Sequence, residues 1–118
     1  MEKILRQSLL FDFYGELLTE HQKSVYSDYI LNDIGLSEIA SERGISRQGV
    51  HDLVKRCESI LENYENKLGL LEKFLETKSL VKEIHDITNK FDYLNISDSE
   101  KELINRINEI SNNIIESM

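Results

Sequence analysis

The spacing of small and apolar residues between Leu36 and Leu53 constrains the fold of this chain more than any other feature of its sequence. Ala40 is followed by Gly44 four residues later, by Val50 six residues after that, and then by Leu53. Alanine lets a second helix cross close above the first, and glycine adopts the positive φ of a tight corner at little cost. Val50 and Leu53 turn the apolar side of the second helix back onto the first. This spacing predicts a helix-turn-helix.

Residues at the corner support this interpretation. Ile45 is expected to fill the gap between the two helices. The Ser46 hydroxyl can accept a hydrogen bond from the free backbone N–H groups of the next helix. A short first helix is therefore predicted from about Ser37 to Arg43, and a much longer helix is predicted after Ser46.

The outward side of the second helix is the candidate binding surface. At 100° per residue, four polar side chains fall within one arc of about 100°. They are Arg47, Gln48, His51 and Lys55. A helix that presents Arg and Gln near its N-terminus fits the major groove of DNA, where Arg pairs with guanine and Gln with adenine. Ser46 and Arg43 complete the predicted DNA-binding set, and Asp52, at the edge of the arc, would repel phosphates.

The net charge works against DNA binding. The chain of 118 residues has 22 Asp and Glu against 14 Lys and Arg, a formal net charge of −8. Residues 1–55 hold six basic against nine acidic side chains, and residues 56–118 hold eight against thirteen. Since neutralised phosphates supply much of the affinity for nucleic acid, any DNA contact must depend on local placement. A protein partner for the same helix-turn-helix therefore stays open.

Helix is also predicted for the rest of the chain, which has no proline and five glycines. Apolar residues recur at helical spacing from Lys3 to Tyr14. Two capping-box patterns mark further helix starts, one at Thr19–Gln22 and one at Ser97–Glu100. The predicted fold class is all-α.

A regular apolar seam follows the corner. Its residues alternate steps of four and three, the heptad period of a coiled coil. They are Val50, Val54, Cys57, Leu61, Tyr64, Leu68, Leu71 and Leu75. Gly69 lies inside the seam and is not expected to end the helix, and a break is predicted instead at Thr77–Ser79. We therefore predict a helix-turn-helix domain with a long helix over residues 1–76 and C-terminal helices over residues 77–118.

The seam has two interpretations. In the first, it packs against the other helices of the same chain. In the second, two copies share it and form a homodimer that presents two recognition helices. A helix of about 30 residues is roughly 45 Å long, more than one small domain needs, and the homodimer is favoured.

The sequence offers no candidate for catalysis, metal binding or a cofactor. The lone cysteine, Cys57, lies on the seam and is expected to be core, while His21, His51 and His85 are too far apart for a local metal motif. No phosphate-binding glycine loop and no serine elbow is present. No segment has the apolar length of a membrane span. A non-enzymatic, soluble, cytoplasmic binding protein is predicted.

Two resemblances add to this prediction. The stretch from Leu17 to Arg56 is similar to region four of bacterial sigma factors, which contacts promoter DNA. The matching residues are Leu17-Leu18-Thr19-Glu20-His21-Gln22, Glu38-Ile39-Ala40 and Ser46-Arg47-Gln48. Because acidic residues replace the usual basic surroundings, the chain is not expected to start transcription as a sigma factor does.

Residues 1 to about 95 resemble the YlxM family of small bacterial helix-turn-helix proteins more closely. The match lies in the opening segment through Phe11, Tyr14 and Leu18 and in the run from Ser46 to Asp52. This resemblance implies a role in assisting or regulating the signal recognition particle pathway, with DNA, or the GTPase or RNA of that particle, as partner.

Overall fold

All regular structure in the residues that the computed structural model describes, 2–91 and 93–118, is helical. The helices are α1 (Lys3–Tyr14), α2 (Glu20–Ile30), α3 (Leu36–Arg43), α4 (Arg47–Leu68), α5 (Leu70–Thr88) and α6 (Asp98–Glu116), with a 3-10 turn at Gly15–Leu17. The all-α prediction is confirmed. None of these helices is both long and apolar enough to cross a membrane.

The predicted helix starts are present. At α2 the Gln22 backbone N–H donates to Thr19 Oγ1 at 3.2 Å, and the Thr19 N–H donates to Gln22 Oε1 at 3.0 Å, so the capping box is complete. At α6 the Ser97 hydroxyl accepts from the Glu100 N–H at 3.2 Å. The Glu100 carboxylate accepts from that hydroxyl rather than from the Ser97 backbone. Both starts were predictable because each signal lies within four residues.

The predicted helix break was wrong. The long helix ends at Leu68, and Gly69 takes the left-handed conformation with φ 64°. Residues Thr77–Ser79 lie inside α5. A left-handed residue ends a helix and favours glycine, whereas threonine and serine only weaken a helix slightly. The single 30-residue helix of the sequence interpretation is therefore two helices.

The chain divides into two compact units, Met1–Leu71 and Glu72–Met118. This division lies a few residues before the predicted domain boundary at residues 76 and 77. In the first unit α4 packs against α1, α2 and α3. The fully or almost fully buried apolar side chains of this core are Leu10, Tyr14, Val25, Tyr26, Ile39, Val50, Val54, Cys57, Leu61 and Leu71.

The first half of the apolar seam is therefore internal. Val50, Val54, Cys57 and Leu61 are all buried against the other helices of the first unit, so the core position predicted for Cys57 is confirmed. Leu68 lies on the same helix but is 56% exposed. The interpretation of the seam as packing within one chain is correct for these four residues, and they cannot also form a dimer interface.

A buried carboxylate closes the corner between α4 and α5. Glu65 Oε1 accepts a hydrogen bond from the Tyr14 hydroxyl at 2.6 Å and from the Leu71 backbone N–H at 2.9 Å. The Tyr14 oxygen accepts from the Leu70 N–H at 3.1 Å. The first N–H groups of a helix lack partners within it, and here two side chains supply them. Burial and the bond to Glu65 raise the pKa of Tyr14.

The second unit pairs α5 with α6 in antiparallel fashion. His85 Nε2 lies 3.0 Å from Ser111 Oγ, and one turn further along α5 the Thr88 hydroxyl donates to Asn108 Oδ1 at 2.8 Å. Thr88 and Ser111 are buried, and His85 is half-buried. These contacts form a polar layer that fixes the register of the pair.

Candidate nucleic-acid interface

The corner between α3 and α4 has the predicted geometry. Gly44 follows α3 with φ 68° and ψ 29°, in the left-handed region. The Ile45 N–H donates back to the Ala40 carbonyl at 3.1 Å. Ser46 then begins the next helix, because its Oγ accepts from the Gly49 N–H at 2.9 Å. The two helices pack on each other through the buried side chains of Ile39, Ala40 and Val50, among others.

One residue of the corner was assigned wrongly. Ile45 does not fill the gap between the helices, because its side chain is 37% exposed. Ile39 is fully buried on α3, one turn before the corner, and occupies the core instead. Ile45 therefore adds to the outer surface beside the start of α4.

We expect Gly44→Ala to destabilise the protein by about 1–2 kcal/mol, because a Cβ in the left-handed region is strained. No atom lies within 4 Å of the added Cβ, so a steric clash would not contribute. Gly35→Ala is the matched control, since its surroundings are equally open and its φ is −67°. Urea denaturation measures both. Equal effects of the two changes would show that the corner does not depend on a left-handed residue.

The predicted binding residues of α4 lie on its outer side. Ser46, Arg47, Gln48 and Lys55 are exposed, and His51 is half-exposed, whereas Val50 and Val54 point into the core. The start of α4 therefore presents a polar face to solvent beside the corner. We call the residues 46, 47, 48, 51, 52 and 55 the α4 face.

An acidic side chain at the edge of this face contacts two of its polar residues. Gln48 Nε2 donates to Asp52 Oδ1 at 2.9 Å, and His51 Nδ1 lies 3.5 Å from the same oxygen. That distance is longer than an ordinary hydrogen bond. Nδ1 is shielded from solvent and has no hydrogen-bond partner in the part of the chain that the structure describes. Asp52 thus binds the side-chain amide of Gln48, the group that was predicted to contact adenine.

Lys55 is also paired. Its Nζ lies 3.5 Å from Glu58 Oε2, and Lys3 Nζ lies 4.0 Å from the same carboxylate. The negative charge of Glu58 raises the pKa of Lys55. Arg47 differs, because its guanidinium makes no hydrogen bond or ion pair within residues 2–91 and 93–118. Unlike Lys55, Arg47 can therefore bind an anion without first breaking an ion pair.

Arg43, the last residue of α3, joins this helix to α2. Its Nη2 donates to Ser24 Oγ and to Asp28 Oδ2, both at 2.8 Å. The bond from Arg43 lowers the pKa of Asp28. These two bonds were not predictable from local sequence patterns, because each joins residues that are 15 or more positions apart. The DNA contact expected of Arg43 stays a prediction.

Comparisons with known proteins agree with this geometry. The model of the family UPF0122, described as "Putative helix-turn-helix protein, YlxM / p13 like", matches residues 1–103. A UPF0122 protein of Bacillus thuringiensis (strain Al Hakam) is 46% identical over 95 residues, which are 80% of this chain and 86% of that protein. UPF0122 proteins of Bacillus mycoides (strain KBAB4) and Bacillus cereus (strain 03BB102) show the same identity and coverage.

Proposed function

Because the chain belongs to the UPF0122 family of helix-turn-helix proteins, we propose that it is a non-enzymatic DNA-binding regulatory protein that acts as a homodimer in the cytoplasm. By its resemblance to YlxM, the process that it assists or regulates is the signal recognition particle pathway. The α4 face enters the major groove. Arg47 contacts guanine, and Gln48 contacts adenine.

The exposure of Arg47 and Gln48 beside the Gly44 corner is the observation that carries this proposal. In helix-turn-helix proteins the N-terminal residues of the second helix contact base edges. Here those residues are directed outward while Val50 is buried, so the helix can approach DNA without unfolding the corner. Ser46, His51, Lys55 and Arg43 complete the proposed set and are proposed to contact the backbone or neighbouring bases.

Asp52 limits the affinity in this mechanism. Gln48 must exchange its bond to Asp52 for one to a base, and the Asp52 carboxylate must approach phosphates of like charge. DNA binding is therefore weaker than it would be without the Asp52 carboxylate.

We expect Asp52→Ala to tighten DNA binding by about tenfold, because it frees Gln48 and removes one like-charge contact worth about 1 kcal/mol. Asp86→Ala removes the same charge from an exposed position on α5 and is the matched control. Fluorescence anisotropy with DNA enriched from a random pool measures both. Unchanged or weaker DNA binding by Asp52→Ala would contradict the proposed contact.

The second candidate function is that of an accessory of the signal recognition particle that binds its GTPase or RNA without binding DNA. The carboxylates of Asp52, near His51, and of Glu58, near Lys55, together with the net charge of −8, favour a basic protein partner. Under this alternative Asp52→Ala weakens binding to the partner. Recovery of the GTPase from a lysate treated with nuclease would support the accessory role, and its loss on nuclease treatment would support RNA.

A further inference from the structure

The second unit leaves most of its large apolar side chains in solvent. Seven of them are between 43% and 65% exposed. They are Leu80, Ile87 and Phe91 from α5 and the residues after it, and Leu103, Ile107, Ile110 and Ile114 from α6. Among the described residues of this unit, only Val81 and Ile104 are buried apolar side chains. Two such residues are far too few to stabilise a helical pair.

The exposed residues follow the period of a coiled-coil seam on both helices. On α6 the steps from Leu103 through Ile107 and Ile110 to Ile114 are four, three and four residues. On α5 the same steps join Leu80, Ile84 and Ile87, and Phe91 continues them just beyond the helix end. No charged residue interrupts either seam.

The two seams lie on the same side of the pair. On both helices, each buried residue that faces the other helix comes one position after a seam residue. On α5 these residues are Val81 and Thr88, which follow Leu80 and Ile87. On α6 they are Ile104 and Ser111, which follow Leu103 and Ile110. About its own helix axis, each seam is therefore rotated by one residue, in the same sense, from the side that contacts the other helix. In an antiparallel pair, equal rotations bring both seams to one side. The result is a continuous apolar surface, which we call the open face.

The area of the open face matches what a specific dimer needs. At about half of a full side-chain area each, the seven residues offer roughly 600 Å² per copy, or roughly 1,200 Å² for two copies, the lower limit of stable interfaces. A contiguous apolar surface of this size is rare on monomers.

We propose that the open face is covered by the open face of a second copy of this chain, so that two α5–α6 pairs form a four-helix bundle. Two seams on one side of an antiparallel helix pair are half of such a bundle. The face is self-complementary, because each copy brings the same two apolar seams. This surface replaces the seam of α4, whose residues are buried in the first unit. This inference rests on the homodimer of the proposed function and specifies its interface, but it does not depend on DNA binding.

Sedimentation velocity of the full chain without nucleic acid, between about 1 and 100 µM, tests this proposal. We expect twice the mass of one chain at the upper concentrations. The double variant Ile107→Glu with Ile110→Glu should raise the dissociation constant of the dimer by roughly 100-fold or more, because four carboxylates would enter one apolar interface. The matched control, Asn105→Glu with Asn112→Glu, adds the same charges to the opposite side of α6 and should leave the dimer intact.

Two results would overturn the proposal. One is a monomer at 100 µM for the unchanged chain, which would mean that the first unit or another molecule covers the open face. The other is a dimer that survives the Ile107 and Ile110 changes, which would place the interface elsewhere. A monomer would also contradict the proposed homodimer. Because the measurement uses no DNA, either result leaves DNA binding by the α4 face to be tested separately.

Discussion

Leu61→Ala is expected to lower the free energy of unfolding by about 3 kcal/mol. Leucine-to-alanine substitutions in a packed core typically cost about 2–5 kcal/mol. Leu61 is fully buried on α4, which packs against α1, α2 and α3. Truncation removes its apolar contacts and leaves a cavity at the centre of the first unit. Urea denaturation followed by circular dichroism measures the change.

Leu68→Ala is the matched control, because it is the same substitution on the same helix at a side chain that is 56% exposed. It is expected to cost about 0.5 kcal/mol. A loss of unfolding free energy in Leu68→Ala as large as that in Leu61→Ala, and dependent on protein concentration, would contradict the exposed position of Leu68. It would show that α4 continues as a seam shared between two copies.

Arg47→Ala combined with Gln48→Ala is expected to weaken DNA binding by roughly 100-fold or more, since each base contact made by such side chains is worth about 1–3 kcal/mol. Both side chains are exposed, so stability should change little. Anisotropy titration on an enriched DNA sequence measures the loss.

The control for this pair is Asn105→Ala with Arg106→Ala on α6, which removes one amide and one guanidinium from another exposed surface. Its effect on DNA affinity should be less than about threefold by charge alone. Equal losses in the two double variants would mean that only net charge matters and that the α4 face makes no specific contact.

The fold was predictable wherever its determinants are local. The Thr19 and Ser97 caps and the left-handed glycine at the end of α3 are each decided within a few residues. Helical periodicity gave the bounds of α1, and the same pattern placed Arg47 and Gln48 opposite Val50. These signals depend on backbone chemistry that acts regardless of the rest of the chain.

Determinants that join distant residues were not predictable. The bond from Tyr14 to Glu65 spans 51 positions, and the one from Arg43 to Asp28 spans 15. An apolar heptad pattern was read as one helix, although Gly69 adopts a left-handed conformation that a periodic pattern does not reveal. The bond between Gln48 and Asp52 was missed for a different reason: Asp52 was placed at the edge of the arc by angle, without regard to the reach of its side chain.

Sequence-specific DNA binding by the α4 face is tested by selection of bound DNA from a random duplex pool with the full chain. The enriched sequence is then titrated at several salt concentrations. We expect one recurring sequence, and an affinity that falls with salt as expected for roughly three neutralised phosphates per copy. A pool that stays unenriched while the chain binds a basic protein through the same face would contradict DNA recognition by the α4 face.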